Sequence, residues 1–314
     1  MELSVRMETI LITGGTGLIG SALTRALLEK SYSVIVLSRR PRSTTTAGLR
    51  YAAWDPDRGK VDYHAIGSAD HIIHLAGAPV AGKRWTKKRK EEIISSRVQT
   101  GSLIAAALRE TSQHIRSVIS ISGIGYYGAD NEKSVTGEGF VESDPPSMDF
   151  LGQTCIEWEE SLKPVGELNI RRVVLRTGIV LSNKGGALRE FLRPLRFGLA
   201  AIPGSGKQIV SWIHVRDLAR LFLFAIENPL LSGAYNAVAP LPASMKDLVL
   251  EMAGARRKFY FPMRVPAPFL RLALGEMAVE VLKSAKVSSG RIRKAGFAFH
   301  FPELRAAMQD LFSP

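Results

Sequence analysis

One stretch near the start of the chain constrains the fold more than any other. The segment TGGTGLIG, Thr13–Gly20, follows an apolar strand pattern, Ile10–Thr13, and opens a helical pattern, Leu18–Lys30. Its glycines permit a tight turn, a close backbone approach to a ligand and close helix–strand packing, while free N–H groups at the helix start attract phosphate. The pattern predicts a dinucleotide-binding loop, with a generic glycine turn as the alternative; the expected contacts are Gly14, Gly15, Thr16, Gly17, Leu18, Ile19 and Gly20.

The next 160 or so residues repeat this alternation of apolar strand and helix patterns. Strands are expected at Val34–Leu37, His71–Ala76, Ser117–Ser122 and Arg171–Leu181, and helices at 87–109 and 150–162. Apolar strands that alternate with helices indicate an α/β fold, a doubly wound parallel sheet covered on both faces. Prolines punctuate the last third, where short helices are expected at 244–252 and 268–282.

Composition excludes several classes of protein. With 314 residues, 46% apolar and 23% charged, the chain can build a sizeable core, so disorder and coiled coil are excluded as the main architecture. The single cysteine, Cys155, cannot form an intrachain disulfide, which favours a reducing compartment. No apolar run has the length of a bilayer span, and the first ten residues do not resemble a signal peptide. We therefore expect a cytoplasmic protein.

The charge balance is strongly basic. Lys and Arg exceed Asp and Glu by 13, with +10 carried by residues 151–314, and Lys83–Lys90 has six basic residues in eight. That segment fits a solvated loop and helix start, a site for phosphates of a cofactor or substrate, or a nucleic-acid contact. We expect a small-molecule substrate as the partner and no membrane, with nucleic acid as the less favoured alternative.

The end of the second strand indicates which dinucleotide is bound. An NAD site places Asp or Glu there, to accept from the ribose 2′-hydroxyl. This chain has Ser38, Arg39 and Arg40 instead. Because guanidinium groups suit a 2′-phosphate, the sequence predicts NADP(H) rather than NAD(H), with a solvated basic turn as the alternative.

Several stretches together resemble the extended short-chain dehydrogenase/reductases of the nucleotide-sugar epimerase type, and most closely the atypical YfcH-like epimerase-family proteins. The general likeness is carried by Ile10–Gly20, His74–Gly77, Ser120–Gly128, Ser211–Ala219 and Gly233–Pro240; the closer one by Gly77–Trp85, Ser96–Thr100, Trp158–Glu160, Leu175–Leu188 and Gly296–Leu304. The resemblance implies a Rossmann core at 1–182 and 211–236, and a smaller C-terminal substrate domain at 183–210 and 237–314. It also implies cofactor contacts at Leu75, Ala76, Gly77, Glu92, Arg97 and Val180.

The resemblance fails at the catalytic pair. The family uses Tyr-x-x-x-Lys on the helix after the fifth strand, where the tyrosine handles a substrate proton. Here Phe150 and Thr154 occupy those positions. Ser122, Tyr126 and Tyr127, at the carboxyl end of the preceding strand, are the substitutes we consider, although a strand-end hydroxyl and packed rings are the structural alternatives.

Other polar residues near this edge are expected to be structural. Glu138 and Glu142 are predicted to be solvated loop acids, Asp217 to cap a helix, and Cys155 to be buried and inert. No residue spacing predicts a metal site.

The preferred hypothesis is an NADP(H)-dependent oxidoreductase or epimerase-like enzyme with an atypical active site. Its substrate would be a small hydroxyl- or carbonyl-bearing compound, with nucleotide sugars among the candidates. The alternative is an NADP(H)-binding regulatory protein without the standard Tyr-Lys catalysis. Helices of this fold often pair, so a homodimer is left open.

Overall fold

The computed structural model describes residues 7–112 and 114–312. Its strands are β1 Thr9–Thr13, β2 Ser33–Ser38, β3 Leu49–Asp55, β4 Lys60–Val61, β5 His71–His74, β6 Ser117–Gly123, β7 Arg171–Thr177, β8 Ile179–Leu181, β9 Leu199–Pro203, β10 Ile209–Val210, β11 Trp212–His214, β12 Gly233–Ala237, β13 Ala243–Ser244 and β14 Phe261–Val265. Its helices are α1 Leu18–Glu29, α2 Tyr63–Gly67, α3 Lys87–Glu110, α4 Glu132–Thr136, α5 Phe150–Ser161, α6 Ala187–Leu195, α7 Val215–Glu227, α8 Met245–Ala255, α9 Ala267–Leu274, α10 Ala278–Leu282, α11 Gly290–Lys294 and α12 Leu304–Phe312.

Eight strands form the central sheet, in the order β12-β7-β6-β5-β1-β2-β3-β4. All neighbours are parallel except β3 and β4, which pair antiparallel. From β1 the chain builds outward first through β2 and β3, and later through β5, β6 and β7, so the order reverses between β1 and β5. Ligands bind at the carboxyl ends of the strands at such a switch point. The α/β fold of Rossmann type is therefore confirmed.

Two apolar clusters cover the two faces of this sheet. One includes Ile10 and Ile12 of β1 with Leu23 of α1 and Phe222 of α7. The other includes Leu11 of β1 with residues of α2 and α3. Because successive side chains of β1 point to opposite faces, its run of apolar residues serves both clusters. This accounts for the strand's uninterrupted apolar pattern.

A third apolar cluster lies in the C-terminal part of the chain. It joins β9, α8 and α12, and Trp212, Leu248 and Met308 are fully buried in it. Two-stranded pairs β8–β11, β9–β14 and β10–β13 surround it. The domain boundaries given above stay a prediction.

The structure differs from the sequence expectation at three places. Strand β3 and helix α2 were not expected, because the half-exposed alternation of β3 lacks the apolar run of the central strands. The strand expected over 171–181 divides at Gly178, where a Cβ would lie 2.4 Å from the Ser211 oxygen, so β8 leaves the sheet to pair with β11. The helix expected at 268–282 breaks at Gly275, whose φ is 63°.

No helix within 7–112 and 114–312 combines the length and apolar character needed to cross a bilayer. The expectation about the first ten residues falls partly on residues 1–6, which lie outside the described residues.

Candidate functional site

The glycine loop after β1 is fixed by contacts that exclude larger residues. Gly14 has φ 69°, and a Cβ there would lie 2.9 Å from the Leu75 carbonyl carbon. At Gly20 a Cβ would meet the Gly14 oxygen at 2.3 Å, and at Gly15 it would meet the Val36 side chain at 2.8 Å. The loop therefore packs backbone against backbone at the switch point, as the sequence pattern indicates.

The N-terminus of α1 is open to an anion. Gly17 is the N-cap, so no side chain accepts from the N–H groups of the first turn, and no acidic residue lies there. The Gly17 N–H donates to the Gly14 oxygen at 3.0 Å, which closes the turn. Thr16 and Gly17 are exposed at this point. Uncapped N–H groups and the positive end of the helix dipole together suit a phosphate.

Thr13 and His74 connect the ends of β1 and β5 by hydrogen bonds. The sequence did not predict this connection. Thr13 Oγ1 accepts from the Leu75 and Ala76 N–H groups at 3.1 and 3.2 Å and lies 2.9 Å from His74 Nδ1. Its own hydrogen therefore goes to Nδ1, and His74 Nε2–H faces Thr100 Oγ1 at 3.4 Å. Burial, with Arg97 nearby, lowers the His74 pKa to about 4, so the ring is neutral at pH 7.

The basic turn after β2 points its charges outward. Ser38 Oγ donates to the Arg40 oxygen at 3.0 Å and accepts from the Arg40 N–H at 3.2 Å, which turns the chain. The side chains of Arg39 and Arg40 are exposed, and neither forms an ion pair within the part of the chain that the structure describes. Both guanidinium groups are free to meet an anion at the strand end.

Arg97 supports the loop after β5 from behind. It is buried, donates to the Ala78 oxygen at 3.0 Å, and stacks over the Trp158 ring at 4.7 Å. A Cβ on Gly77 would lie 3.1 Å from its Cγ. Burial lowers the Arg97 pKa to about 10. The structure thus places Arg97 beside Gly77 and Ala78, and its expected cofactor contact stays a prediction.

Glu92 and Val180 differ in their surroundings: Glu92 is exposed on α3, whereas Val180 packs against the apolar cluster that Ile19 and Leu75 also contact. Glu92 pairs with Arg89 at 2.6 Å on the solvent side of α3, and the hydrogen bond from Arg89 lowers its pKa. Val180 is half-buried in β8, opposite Ile213. Within the described part of the chain, neither residue forms a hydrogen bond or an ion pair with the glycine loop, and their cofactor roles stay predictions.

At the start of α5 the family's tyrosine and lysine are replaced by Phe150, which has no titratable group, and Thr154, which carries no positive charge. The Phe150 ring packs edge-on against Trp85 at 4.8 Å, with Lys90 Nζ 5.3 Å from its centroid. Thr154 Oγ1 donates to the Phe150 oxygen at 2.7 Å.

The three candidate hydroxyl groups differ in environment. Tyr127 is buried, donates to Asn236 Oδ1 at 2.7 Å, and accepts from Arg176 at 3.0 Å. Burial raises its pKa to about 12 despite Arg176. Ser122 is also buried, and its Oγ has no oxygen or nitrogen partner; it faces the Cys155 thiol. Tyr126 alone is partly exposed.

Arg176 organises this side of the sheet. It forms a two-pronged ion pair with Glu159, both bonds 2.9 Å, and its Cζ lies 3.4 Å from the centroid of the Tyr126 ring. Burial alone would lower the Arg176 pKa, but the Glu159 carboxylate raises it well above its usual value. The network is rigid because nearly every polar atom in it has a partner. Sequence reasoning missed Arg176, since an arginine inside an apolar strand pattern carries no motif.

Two expectations about nearby acids were wrong. Glu142 is not a solvated loop acid, because it accepts from the Asn236 N–H at 2.8 Å. Asp217 does not cap α7; His214 is the N-cap, and Asp217 is fully buried and accepts from the N–H groups of His300 and Phe301 at 2.9 and 2.8 Å. Asp217 thereby fastens the C-terminal segment to α7.

Cys155 is buried, as expected, and burial raises the pKa of its thiol. Its Sγ donates to the Gly123 oxygen at 3.5 Å. Among the described residues, no cluster of His, Cys, Asp and Glu could hold a metal ion.

Three of the six basic side chains of Lys83–Lys90 have partners within the molecule. Arg84 donates to the Leu272 oxygen at 3.1 Å, Arg89 to the Pro79 oxygen, and Lys90 pairs with Glu276. Trp85 is buried, and its Nε1–H donates to the Val80 oxygen at 3.0 Å. The Trp85 ring is therefore packed within the fold and is not available to stack on a nucleic-acid base.

Comparison with known proteins agrees with this geometry. Residues 10–237 match the NAD dependent epimerase/dehydratase family, and residues 265–311 match a domain of unknown function, DUF1731. The chain is 34% identical over 301 residues to epimerase family protein Mb2239 of Mycobacterium bovis, covering 95% of this chain and 96% of that one. It is 33% identical to epimerase family protein YfhF of Bacillus subtilis, over 97% of this chain and 98% of that one.

A solved structure adds to the likeness. The crystal structure of human epimerase family protein SDR39U1 (isoform 2) with NADPH has a TM-score of 0.85 and 31% identity, over 97% of this chain and 99% of the human one. The resemblance stated from the sequence is confirmed: the chain belongs to the NAD dependent epimerase/dehydratase family, among its epimerase family proteins of the SDR39U1 and YfhF type.

Proposed function

We propose that this chain is an NADP(H)-dependent oxidoreductase of the epimerase/dehydratase type that acts on a small hydroxyl- or carbonyl-bearing substrate. One observation carries the proposal: an uncapped helix N-terminus behind a glycine loop lies at the switch point, with unpaired Arg39 and Arg40 at the end of the adjacent strand. The human relative crystallised with NADPH supports the choice of dinucleotide.

The residues present fit this dinucleotide. Gly14–Gly20 would hold the pyrophosphate, because the N–H groups of the first turn of α1 have no side-chain cap and lie at the exposed end of this loop. Arg39 and Arg40 would hold a 2′-phosphate, and Leu75–Gly77 would line the cleft. When bound, the nicotinamide would exchange a hydride with a substrate carbon.

For the accompanying proton we propose Tyr126. It follows β6 at the carboxyl edge of the sheet, and its main-chain oxygen accepts from the Ser147 N–H at 2.6 Å, which holds it near the start of α5. Tyr127 is a weaker candidate because both its hydrogen-bonding roles are taken within the core. Ser122 is a weaker candidate because it is buried behind the strand end.

The alternative, an NADP(H)-binding regulatory protein, is favoured by one observation. The positions that carry acid–base chemistry in the family hold Phe150 and Thr154, and Phe150 packs between Trp85 and Lys90 as a structural ring. Under this alternative the chain would bind NADPH and catalyse no hydride transfer.

Turnover measurements separate these functions. Purified protein would be mixed with NADPH and panels of carbonyl compounds and nucleotide sugars, and cofactor oxidation followed by absorbance. We expect Tyr126→Phe to lower kcat by about 100-fold, the usual contribution of a positioned acid or base. Tyr63→Phe is the matched control, because Tyr63 lies on α2 and is 42% exposed. Unchanged turnover in Tyr126→Phe would refute the assignment of this residue, and tight NADPH binding without turnover would favour the regulatory alternative.

A further inference from the structure

The two-stranded sheet β9–β14 has apolar side chains on both of its faces. Ala200 and Ile202 of β9 are buried in the third apolar cluster. Because side chains alternate along a strand, Leu199 of β9 points to the opposite face, together with its register partner Phe261 and with Met263 of β14. A solvent-facing sheet surface is ordinarily polar, so this second face is unusual.

The side chains on and beside this second face are strongly exposed. Phe259 lies two residues before β14 and is 90% exposed; Phe197 lies two residues before β9 and is 84% exposed. Phe261 and Met263 are 61% and 42% exposed. The backbone joins the two segments here, since the Phe261 N–H donates to the Gly198 oxygen at 2.7 Å. We call Phe197, Phe259, Phe261 and Met263 the aromatic face; a cluster of this kind marks a contact surface.

Positive charge borders the aromatic face. No acidic residue occurs from Phe191 to Arg216 or from Met252 to Gly275. The basic rim, as we call it, comprises Arg196, Arg256, Arg257 and Lys258. None of these four side chains forms an ion pair with a described residue. Part of the C-terminal excess of positive charge therefore lies unpaired beside the exposed rings.

We propose that the aromatic face and the basic rim form a peripheral docking site for an anionic lipid surface. Exposed aromatic rings next to Lys and Arg suit the boundary between anionic headgroups and acyl chains. A second copy of this chain is disfavoured as the occupant, because a symmetric contact would bring together two basic rims whose side chains form no ion pair with the described residues of their own chain. Side chains that are up to 90% exposed project outward, which suits insertion into a fluid surface.

This site departs from the sequence expectation of no membrane partner. That expectation rested on the absence of a spanning apolar run, which peripheral binding does not require. The proposal is independent of the proposed enzymatic function.

Vesicle co-sedimentation of the full chain tests the proposal. We expect binding to phosphatidylcholine vesicles that contain about 30% phosphatidylserine, weak binding to pure phosphatidylcholine, and weaker binding as salt rises. The triple variant Arg256→Gln, Arg257→Gln, Lys258→Gln should lower the partition coefficient by about 100-fold, roughly fivefold for each basic residue. The double variant Phe197→Ser, Phe259→Ser should lower it by at least about tenfold.

Leu230→Ser is the matched control, because Leu230 is 89% exposed at the turn before β12 and should leave binding unchanged. Unchanged melting temperatures would show that the variants fold. The proposal is overturned if wild-type protein ignores anionic vesicles, or if the double variant binds as tightly as the wild type. It is also overturned if analytical ultracentrifugation shows a dimer that the double variant converts to monomer, since a second copy would then occupy the face.

Discussion

The two halves of the sheet's carboxyl edge keep the family pattern to different degrees. At the ends of β1 and β5 the backbone is in place: Gly14 and Gly20 pack where a Cβ would clash, and Thr13 ties the loops together. At the end of β6 and the start of α5, Phe150 and Thr154 stand where a proton-transferring pair is expected.

This difference shows that dinucleotide binding and acid–base catalysis depend on different parts of the site. Holding a dinucleotide depends on backbone N–H groups and close approach, which glycines supply wherever the fold is kept. Acid–base chemistry depends on particular side chains, and here Phe150 and Thr154 replace them, while the polar groups of Arg176, Glu159 and Tyr127 bind one another in a buried network. The backbone at the ends of β1 and β5 can therefore stay the same while the side chains at the end of β6 and the start of α5 change.

The largest expected effect is a loss of dinucleotide binding at the glycine loop after β1. In Gly20→Ala the new Cβ would lie 2.3 Å from the Gly14 oxygen, so the loop must move. We expect NADPH affinity to fall by roughly 1000-fold or more, as measured by calorimetry. Gly166→Ala is the control, because nothing lies within 4 Å of its Cβ position, and it should bind as the wild type. Near-normal affinity in Gly20→Ala would mean that the loop is not the site.

The next largest effect is a loss of stability when the Arg176 network near the end of β6 is disrupted. Arg176→Met removes the partner of the largely buried Glu159 carboxylate and of the Tyr127 hydroxyl. We expect the free energy of unfolding to fall by about 3 kcal/mol in urea denaturation. Arg109→Met breaks the exposed pair with Glu167 and should cost under about 1 kcal/mol. Equal losses in the two variants would show that the Arg176 network is not special.

A smaller effect is the pH dependence of stability that His74 causes at the ends of β1 and β5. The His74 pKa is about 4 in the folded protein and 6.5 when unperturbed, so between these values the unfolded chain binds more protons. The stability that neutral His74 contributes is complete above pH 6.5 and is lost as the pH falls toward 4. We expect His74→Gln to lose about 2 kcal/mol less than the wild type between pH 7 and pH 5. Identical pH dependence in the two proteins would contradict the buried neutral ring.

Periodicity predicted the central fold well, because β1, β5 and β6 carry apolar residues on both faces and the long helices α1, α3 and α5 alternate with them along the chain. The glycine loop was predictable for the same reason that it is constrained, since few residues other than glycine fit there. Thr13, His74 and Arg176 were not predictable, because each acts through partners distant in sequence. The charge of Lys83–Lys90 was misleading, since Arg84, Arg89 and Lys90 find partners that only the fold brings near.

The most direct test of the account is a parallel titration of the purified protein with NADPH and NADH, repeated on Arg39→Gln, Arg40→Gln. The account predicts that the wild type binds NADPH at least about tenfold more tightly, because guanidinium groups hold the 2′-phosphate, and that the double variant loses this preference while keeping its NADH affinity. Tighter binding of NADH by the wild type, or a preference that survives the double substitution, would contradict it.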